Sequence, residues 1–171
     1  MNLLMSDMEL PDDLPDLQDN CYIDLTKLKI SNCIGCFGCW VKTPGKCVIR
    51  DDAIKVYPVI AKSKKLIYVS RVRYGGYDII MKTMLERAIP IQQAFMRVYN
   101  GEIHHIQRNV EPKDAVIIAY GAKDAAEKKL FEKMVSRNAN NMVFNSWRVV
   151  FTDAQNVHAA IRREVLKWQG C

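Results

Sequence analysis

The sequence lacks any apolar run long enough to cross a bilayer, so no membrane span is expected. The stretch Met1 to Asp19 has no Lys or Arg, and without the basic start of a secretory signal we expect a cytoplasmic chain. There is no Arg-rich run and no aromatic motif of the RNA-binding kind, which argues against nucleic acid as a partner. Internal repeats and low-complexity segments are also missing, which leaves an ordinary globular chain. With 171 residues, 49% of them hydrophobic and 26% charged, it is expected to form one domain over 1–171 that buries a core without covalent staples.

Positive charge is missing from one end only. Residues 1–26 carry seven acids and no Lys or Arg, while the net charge of the whole chain is +6. This describes an acidic arm over 1–20 on a basic body, and a basic face suits a phosphate-bearing cofactor as well as plain solvent.

Cysteine is present and patterned. Cys33, Cys36, Cys39 and Cys47 fall in the run Cys-Ile-Gly-Cys-Phe-Gly-Cys-Trp-Val-Lys-Thr-Pro-Gly-Lys-Cys. Thiolates three residues apart on a backbone loosened by glycine can converge on one centre. The readings are a metal or iron–sulfur nest, a redox dithiol set, or a packed loop of reduced thiols. Phe37 and Trp40 read as lids over the core or an interface. Cys21 reads as core and Cys171 as a mobile terminal thiol.

Four apolar runs read as strands: Cys21 to Leu25, Lys65 to Ser70, Asp114 to Tyr120 and Trp147 to Thr152, with a short strand at Asn2 to Met5. Helical spacing appears over 51–63, with Pro58 inside, and over 78–88, 124–137 and 155–168. The alternation predicts an α/β fold with a mostly parallel sheet between helix layers. Residues 89–113 show no clear period and read as a long inserted loop. Adjacent His104 and His105 would point to opposite faces of a strand, which makes them a structural pair rather than a joint catalytic site.

Ligands in such sheets bind beyond the carboxyl ends of the strands. That singles out the cysteine run, the loop Ser70-Arg71-Val72-Arg73-Tyr74-Gly75-Gly76, and Tyr120-Gly121. The glycine pair permits close backbone approach to a ligand.

The block from Cys33 to Asp52, with Gly-Cys-Phe-Gly-Cys-Trp and Pro-Gly-Lys-Cys-Val-Ile, resembles the flavodoxin-like NAD(P)H-dependent FMN reductase family. The strand Leu66 to Ser70 with its loop to Tyr77, and the helix Met81 to Arg87, resemble that family's third strand, flavin-contacting loop and following helix. The likeness covers roughly residues 20–168 and implies a flavodoxin-like three-layer sandwich binding FMN, with Ser70 to Gly76, Tyr120 and Gly121 as the cofactor-binding residues. Iron–sulfur relatives in this superfamily hold a 4Fe–4S cluster on a compact cysteine run, which implies Cys33, Cys36, Cys39 and Cys47 as its ligands.

Two departures stand out. Ser6 to Asn20 holds Pro11, Pro15, six acids and no glycine, too short and broken for a phosphate loop plus crossover helix. The first βα unit is therefore expected to be truncated and FMN weakly held. Arg71 and Arg73 stand where the family has Pro and Tyr, and arginines can stack on a flavin or hold a phosphate.

The leading expectation is an NAD(P)H-dependent FMN reductase-like oxidoreductase or electron-transfer flavoprotein. The alternatives are a non-catalytic subunit or binding module with a decayed flavin site, and an iron–sulfur electron carrier. Hydride transfer to a flavin needs no side-chain acid or base, so no catalytic residue is named. A homodimer or a place in a larger complex is expected, because the missing helix would leave one flank of the sheet open near Cys21 and Leu66. Leu10, Leu14 and Leu17 could instead fold back over it.

Overall fold

Runs of β-branched and aromatic residues bounded by polar turns fold here as strands, and the three central ones are buried on both faces while the two edge strands are not. A computed structural model describes residues 1–169, and Cys171 lies outside the described residues. In chain order the elements are β1 (Asn2–Ser6), β2 (Asn20–Asp24), α1 (Gly38–Val41), α2 (Ala53–Lys62), β3 (Lys65–Arg73), β4 (Gly76–Tyr77), α3 (Ile79–Glu86), β5 (Gln92–Tyr99), β6 (Glu102–Gln107), β7 (Lys113–Tyr120), α4 (Ala125–Met142), β8 (Phe144–Thr152) and α5 (Val157–Leu166).

The sheet runs β2-β1-β3-β7-β8, all parallel, with β4 returning antiparallel on β3. This is the flavodoxin-like order, whose direction of winding reverses between β1 and β3. The fold is therefore α/β and flavodoxin-like, as the sequence leads one to expect.

Successive residues of β3 feed two cores. Leu66 and Tyr68 face α2, α3 and α4, where they meet Ile60, Met84 and Phe131. Ile67 and Val69 face α5, where they meet Val157, Ile161 and Val165. Each such aliphatic side chain taken from water contributes roughly 1.5–3 kcal/mol, so both layers are held firmly.

The helices start where polar caps stand. Asp78 accepts from Ile79 N at 2.8 Å, and Asp124 accepts from Glu127 N at 2.8 Å. Asp51 accepts from Ala53 N at 3.1 Å at the head of α2, which contains Pro58. The third helix of the sequence reading runs five residues further than expected, to Met142, and stops where Val143 turns left-handed at φ 57°.

Two expectations need correction. Residues 89–113 are not a long loop: they hold the antiparallel hairpin β5–β6, with Asn100 and Gly101 at φ 51° and 76° in its turn. Asn-Gly is the strongest short hairpin signal, because both of its residues accept positive φ. The flank left by the missing first helix is also not open. Ser6 to Asn20 crosses from β1 to β2 without a helix, and Met8, Leu10 and Leu14 pack on the α5 side of the sheet. Arg162 clamps Asp13 at 2.9 Å, and His158 contacts the Glu9 carbonyl at 3.0 Å. Leu17 stays partly exposed. His104 is the structural residue expected: it is buried and bridges Asn141 and Glu102, each at 2.9 Å. No helix among the described residues is long and apolar enough to cross a membrane.

Candidate functional site

At the carboxyl end of the sheet, the chain after β1 passes to the α5 face and the chain after β3 to the opposite face. Asp7, the first residue past β1, fills the crevice between them. Its N–H donates to the Val69 carbonyl at 3.0 Å. Its carboxylate accepts from Ser70 Oγ at 2.6 Å, from Arg71 N at 3.0 Å and from Tyr120 Oη at 3.0 Å. Burial pushes the Asp7 carboxyl above the ordinary aspartate range, although all three donors pull it back down. Burial, together with the neighbouring Asp7, likewise drives the Tyr120 phenol well up.

The loop beyond β3 is a tight hairpin. Val72 pairs with Tyr77 and Arg73 with Gly76, leaving Tyr74 and Gly75 to turn the chain at φ 54° and 71°. A Cβ on Gly75 would lie 2.4 Å from Leu130, so glycine is required twice over. Glu127 staples the loop to its neighbour, accepting from Gly75 N at 3.1 Å and from Lys123 N at 2.7 Å. The stem of Arg71 lies across Gly121, 3.3 Å from where a Cβ would stand there. Arg73 reaches Asp78 at 3.5 Å and sits over the Tyr74 ring, which is 88% exposed.

Ser70, Arg71, Tyr120 and Gly121 therefore meet at one place, around Asp7. Arg73, Tyr74 and Gly75 form the adjoining rim. Val72 turns into the core, and Gly76 faces a cavity behind the loop. Sequence reasoning missed Asp7 and Glu127. The signal for Asp7 was its position, the first acid after a buried strand at the place of a phosphate loop.

The cysteine run forms a second feature. Gly35 and Phe37 take positive φ, 64° and 55°, and fold the run back before the single turn α1. Cys33, Cys36, Cys39 and Cys47 line one small cavity of about 60 Å³ together with Arg87. All four are free thiols. Burial first, and then the charges of Cys47, Cys33 and Cys36, push the Cys39 thiol up. Arg87 lies beneath them, with Nη2 3.4 Å from Cys47 Sγ and both guanidinium nitrogens on Asp51 at 2.7 and 2.9 Å. Trp40 stacks between Phe37 and His105, with ring centres 5.6 and 4.7 Å apart, and so ties the run to β6. Among the described residues no three His, Cys, Asp or Glu side chains are grouped to hold a single metal ion.

Comparison with known proteins gives two kinds of likeness. No family profile matches the chain. Over 74 residues, 43% of its length, the chain is 31% identical to an iron–sulfur flavoprotein of Methanocaldococcus jannaschii. It is 34% identical over 68 residues to an iron–sulfur flavoprotein of Archaeoglobus fulgidus, and 32% identical over 76 residues to one of Clostridioides difficile. These matches span 37%, 30% and 32% of the relatives' own lengths, about a third of each. Among solved structures, an FMN-dependent NADH-azoreductase of Bacillus anthracis, in complex with FMN, superimposes with a TM-score of 0.54 at 11% identity, covering 98% of this chain and 97% of that one. A second azoreductase, from the Sterne strain of Bacillus anthracis, gives a TM-score of 0.59 at 10% identity over 98% of this chain and 94% of that one. The resemblance to flavodoxin-like reductases with an iron–sulfur cysteine run, read from the sequence, thus stands, and the solved structures share its fold.

Proposed function

We propose that this chain is a flavodoxin-like FMN oxidoreductase, with the flavin ring resting on the loops Ser70 to Gly76 and Tyr120 to Gly121. The observation that carries this reading is the meeting of those loops at the β1/β3 switch point, where sheets of this order take their ligands. The chemistry FMN supplies when bound is acceptance of a hydride from reduced NAD(P)H and delivery of electrons to an acceptor. The chain's part is to bind and orient. Tyr74 offers a ring at the rim, and Arg71 and Arg73 offer positive charge to a phosphate.

The residues fit a flavin ring better than they fit its phosphate. Backbone N–H and hydroxyl donors that suit an anion are present, but Asp7 already holds them. FMN is therefore weakly bound. Titration of the full chain should give a dissociation constant above about 1 µM. Asp7→Asn, which removes the competing charge, should tighten binding by about tenfold, or 1.4 kcal/mol. FMN that survives extensive dialysis at one per wild-type chain would overturn the weak-site reading.

The donor set of the cysteine run fits a 4Fe–4S cluster. Each thiolate of a cubane holds a different iron, so the four need not close on a single ion, and the four thiols line one cavity. Arg87 beside Cys47 would offset part of the negative charge of such a group. Cys47→Ser should remove or convert the cluster while Cys21→Ser leaves it intact, read as iron and sulfide content. Free thiols suit a reducing, cytoplasmic setting.

A second reading rests on Asp7 itself: a site whose anion donors are internally satisfied suits a non-catalytic binding module. The absorbance of protein purified without air separates the readings. Flavin bands support the oxidoreductase, a broad brown shoulder alone supports an iron–sulfur carrier, and neither supports the module. The partner we propose is a second copy of this chain, meeting through the outer face of the hairpin β5–β6.

A further inference from the structure

Behind the loop Arg71 to Tyr77, on the α3/α4 side of the sheet, lies a cavity of about 400 Å³. It lies between α3, which is eight residues long, and the second half of α4. The walls are Tyr68 and Tyr77 from the sheet, Leu85 from α3, and Met134, Asn138 and Met142 from α4. Tyr68 is 1% exposed and its hydroxyl has no hydrogen-bond partner. A buried phenol normally finds one, because a donor left unmade loses its hydrogen bond to water with nothing in return. Asn138 spends its amide N–H on the Met134 sulfur at 3.2 Å, a weak acceptor that a better one would displace. Lys82 and Glu86 at the mouth neutralise one another at 2.6 Å, so the entrance selects for neither sign of charge. Thioethers and ring edges favour a flat aromatic body.

We propose that this cavity binds a neutral aromatic molecule whose carbonyl accepts hydrogen bonds from Tyr68 Oη and the Asn138 amide. The volume lies within the usual range of small-molecule pockets. It is a separate site from the Asp7 crevice: the loop Arg71 to Tyr77 stands between them, and only the inner side of Gly76 and Tyr77 faces the cavity. Nothing in this inference depends on whether FMN binds.

The test uses prodan, a neutral aromatic ketone whose emission reports both an apolar setting and hydrogen bonding at its carbonyl. Wild-type chain should bind it saturably, with emission shifted to the blue of that in water. Tyr68→Phe should weaken binding about tenfold and shift the bound emission further to the blue, because one hydrogen bond is lost. Without prodan, Tyr68→Phe should melt no lower than wild type, since its hydroxyl leaves no partner behind. Met134→Trp, which fills the cavity, should abolish binding. Saturating FMN should not displace the probe. The proposal is overturned by absence of saturable binding, by Tyr68→Phe binding as tightly as wild type, by displacement with FMN, or by a clear loss of stability in ligand-free Tyr68→Phe. If Met134→Trp fails to fold, the Tyr68→Phe comparison decides alone.

Discussion

Arg87 is 1% exposed, yet its guanidinium meets Asp51 twice, the Ser31 carbonyl at 2.7 Å and Cys47. The cation is therefore the post on which the cysteine run hangs. Burial pushes the Asp51 carboxyl up, but hydrogen bonds from Arg87, Ser31 and Ala53 outweigh it and hold the group at about 2. A folded value below the unfolded one stabilises the native state above the ordinary aspartate range, and that contribution disappears as the pH falls through about 2. Asp51→Asn leaves Arg87 buried without its counter-charge, and urea unfolding at neutral pH should show a loss of about 3–5 kcal/mol. Lys113 presents the opposite sign. It is fully buried at the start of β7, and burial lowers it to about 8. Between that value and its unfolded value of 10.5, the unfolded chain binds more protons, so stability should rise with pH across this window. Lys113→Met should remove that rise and stabilise the protein at pH 7 by about 1 kcal/mol or more, which parallel melts at two pH values would detect.

The strand-loop element Lys65 to Tyr77 shows how local chemistry positions a site. Its turn needs positive φ at Tyr74 and Gly75, and the second of these also abuts Leu130. Gly75→Ala should cost about 1–2 kcal/mol from backbone conformation and further from the clash. Adding Leu130→Ala should recover the clash and leave the conformational cost, so that the double variant melts between Gly75→Ala and wild type. The hairpin β5–β6 shows the reverse case. Its sequence carries the Asn100-Gly101 signal, but β5 is bulged between Gln92 and Met96, and its outward residues are as apolar as its inward ones. No period of two survives for sequence reasoning to find.

At the scale of the whole molecule, the outer face of that hairpin presents exposed apolar side chains to solvent. Val98 and Ile103 face each other across the strands, 78% and 74% exposed, beside Phe95 and Met96. Such a contiguous patch is rarely left to water, and a two-fold pairing buries it economically. Light scattering at micromolar concentration should give about twice the chain mass of 19.6 kDa for wild type and the single-chain mass for Ile103→Glu. A single-chain mass for wild type at every concentration would falsify the pairing. The missing first helix leaves no comparable patch: the arm Met8 to Leu14 packs on the α5 face of the sheet, and Leu66 is buried on the opposite face in the core shared with α2.

Buried-strand composition and helix periodicity determined the α/β class and the alternation of the main strands with α2, α3, α4 and α5, because those signals act over neighbours in the chain. They also determined that Ser70, Arg71, Tyr120 and Gly121 end strands on the side where ligands bind. Only the tertiary structure decided what those residues meet. Asp7 reaches Ser70 and Tyr120 across 63 and 113 residues, and Arg87 reaches Asp51 across 36. Contacts at such separations follow from strand order and from which helix is missing, and no local pattern encodes them. The lone hydroxyl of Tyr68 likewise follows from a gap between α3 and α4 that neither helix specifies by itself.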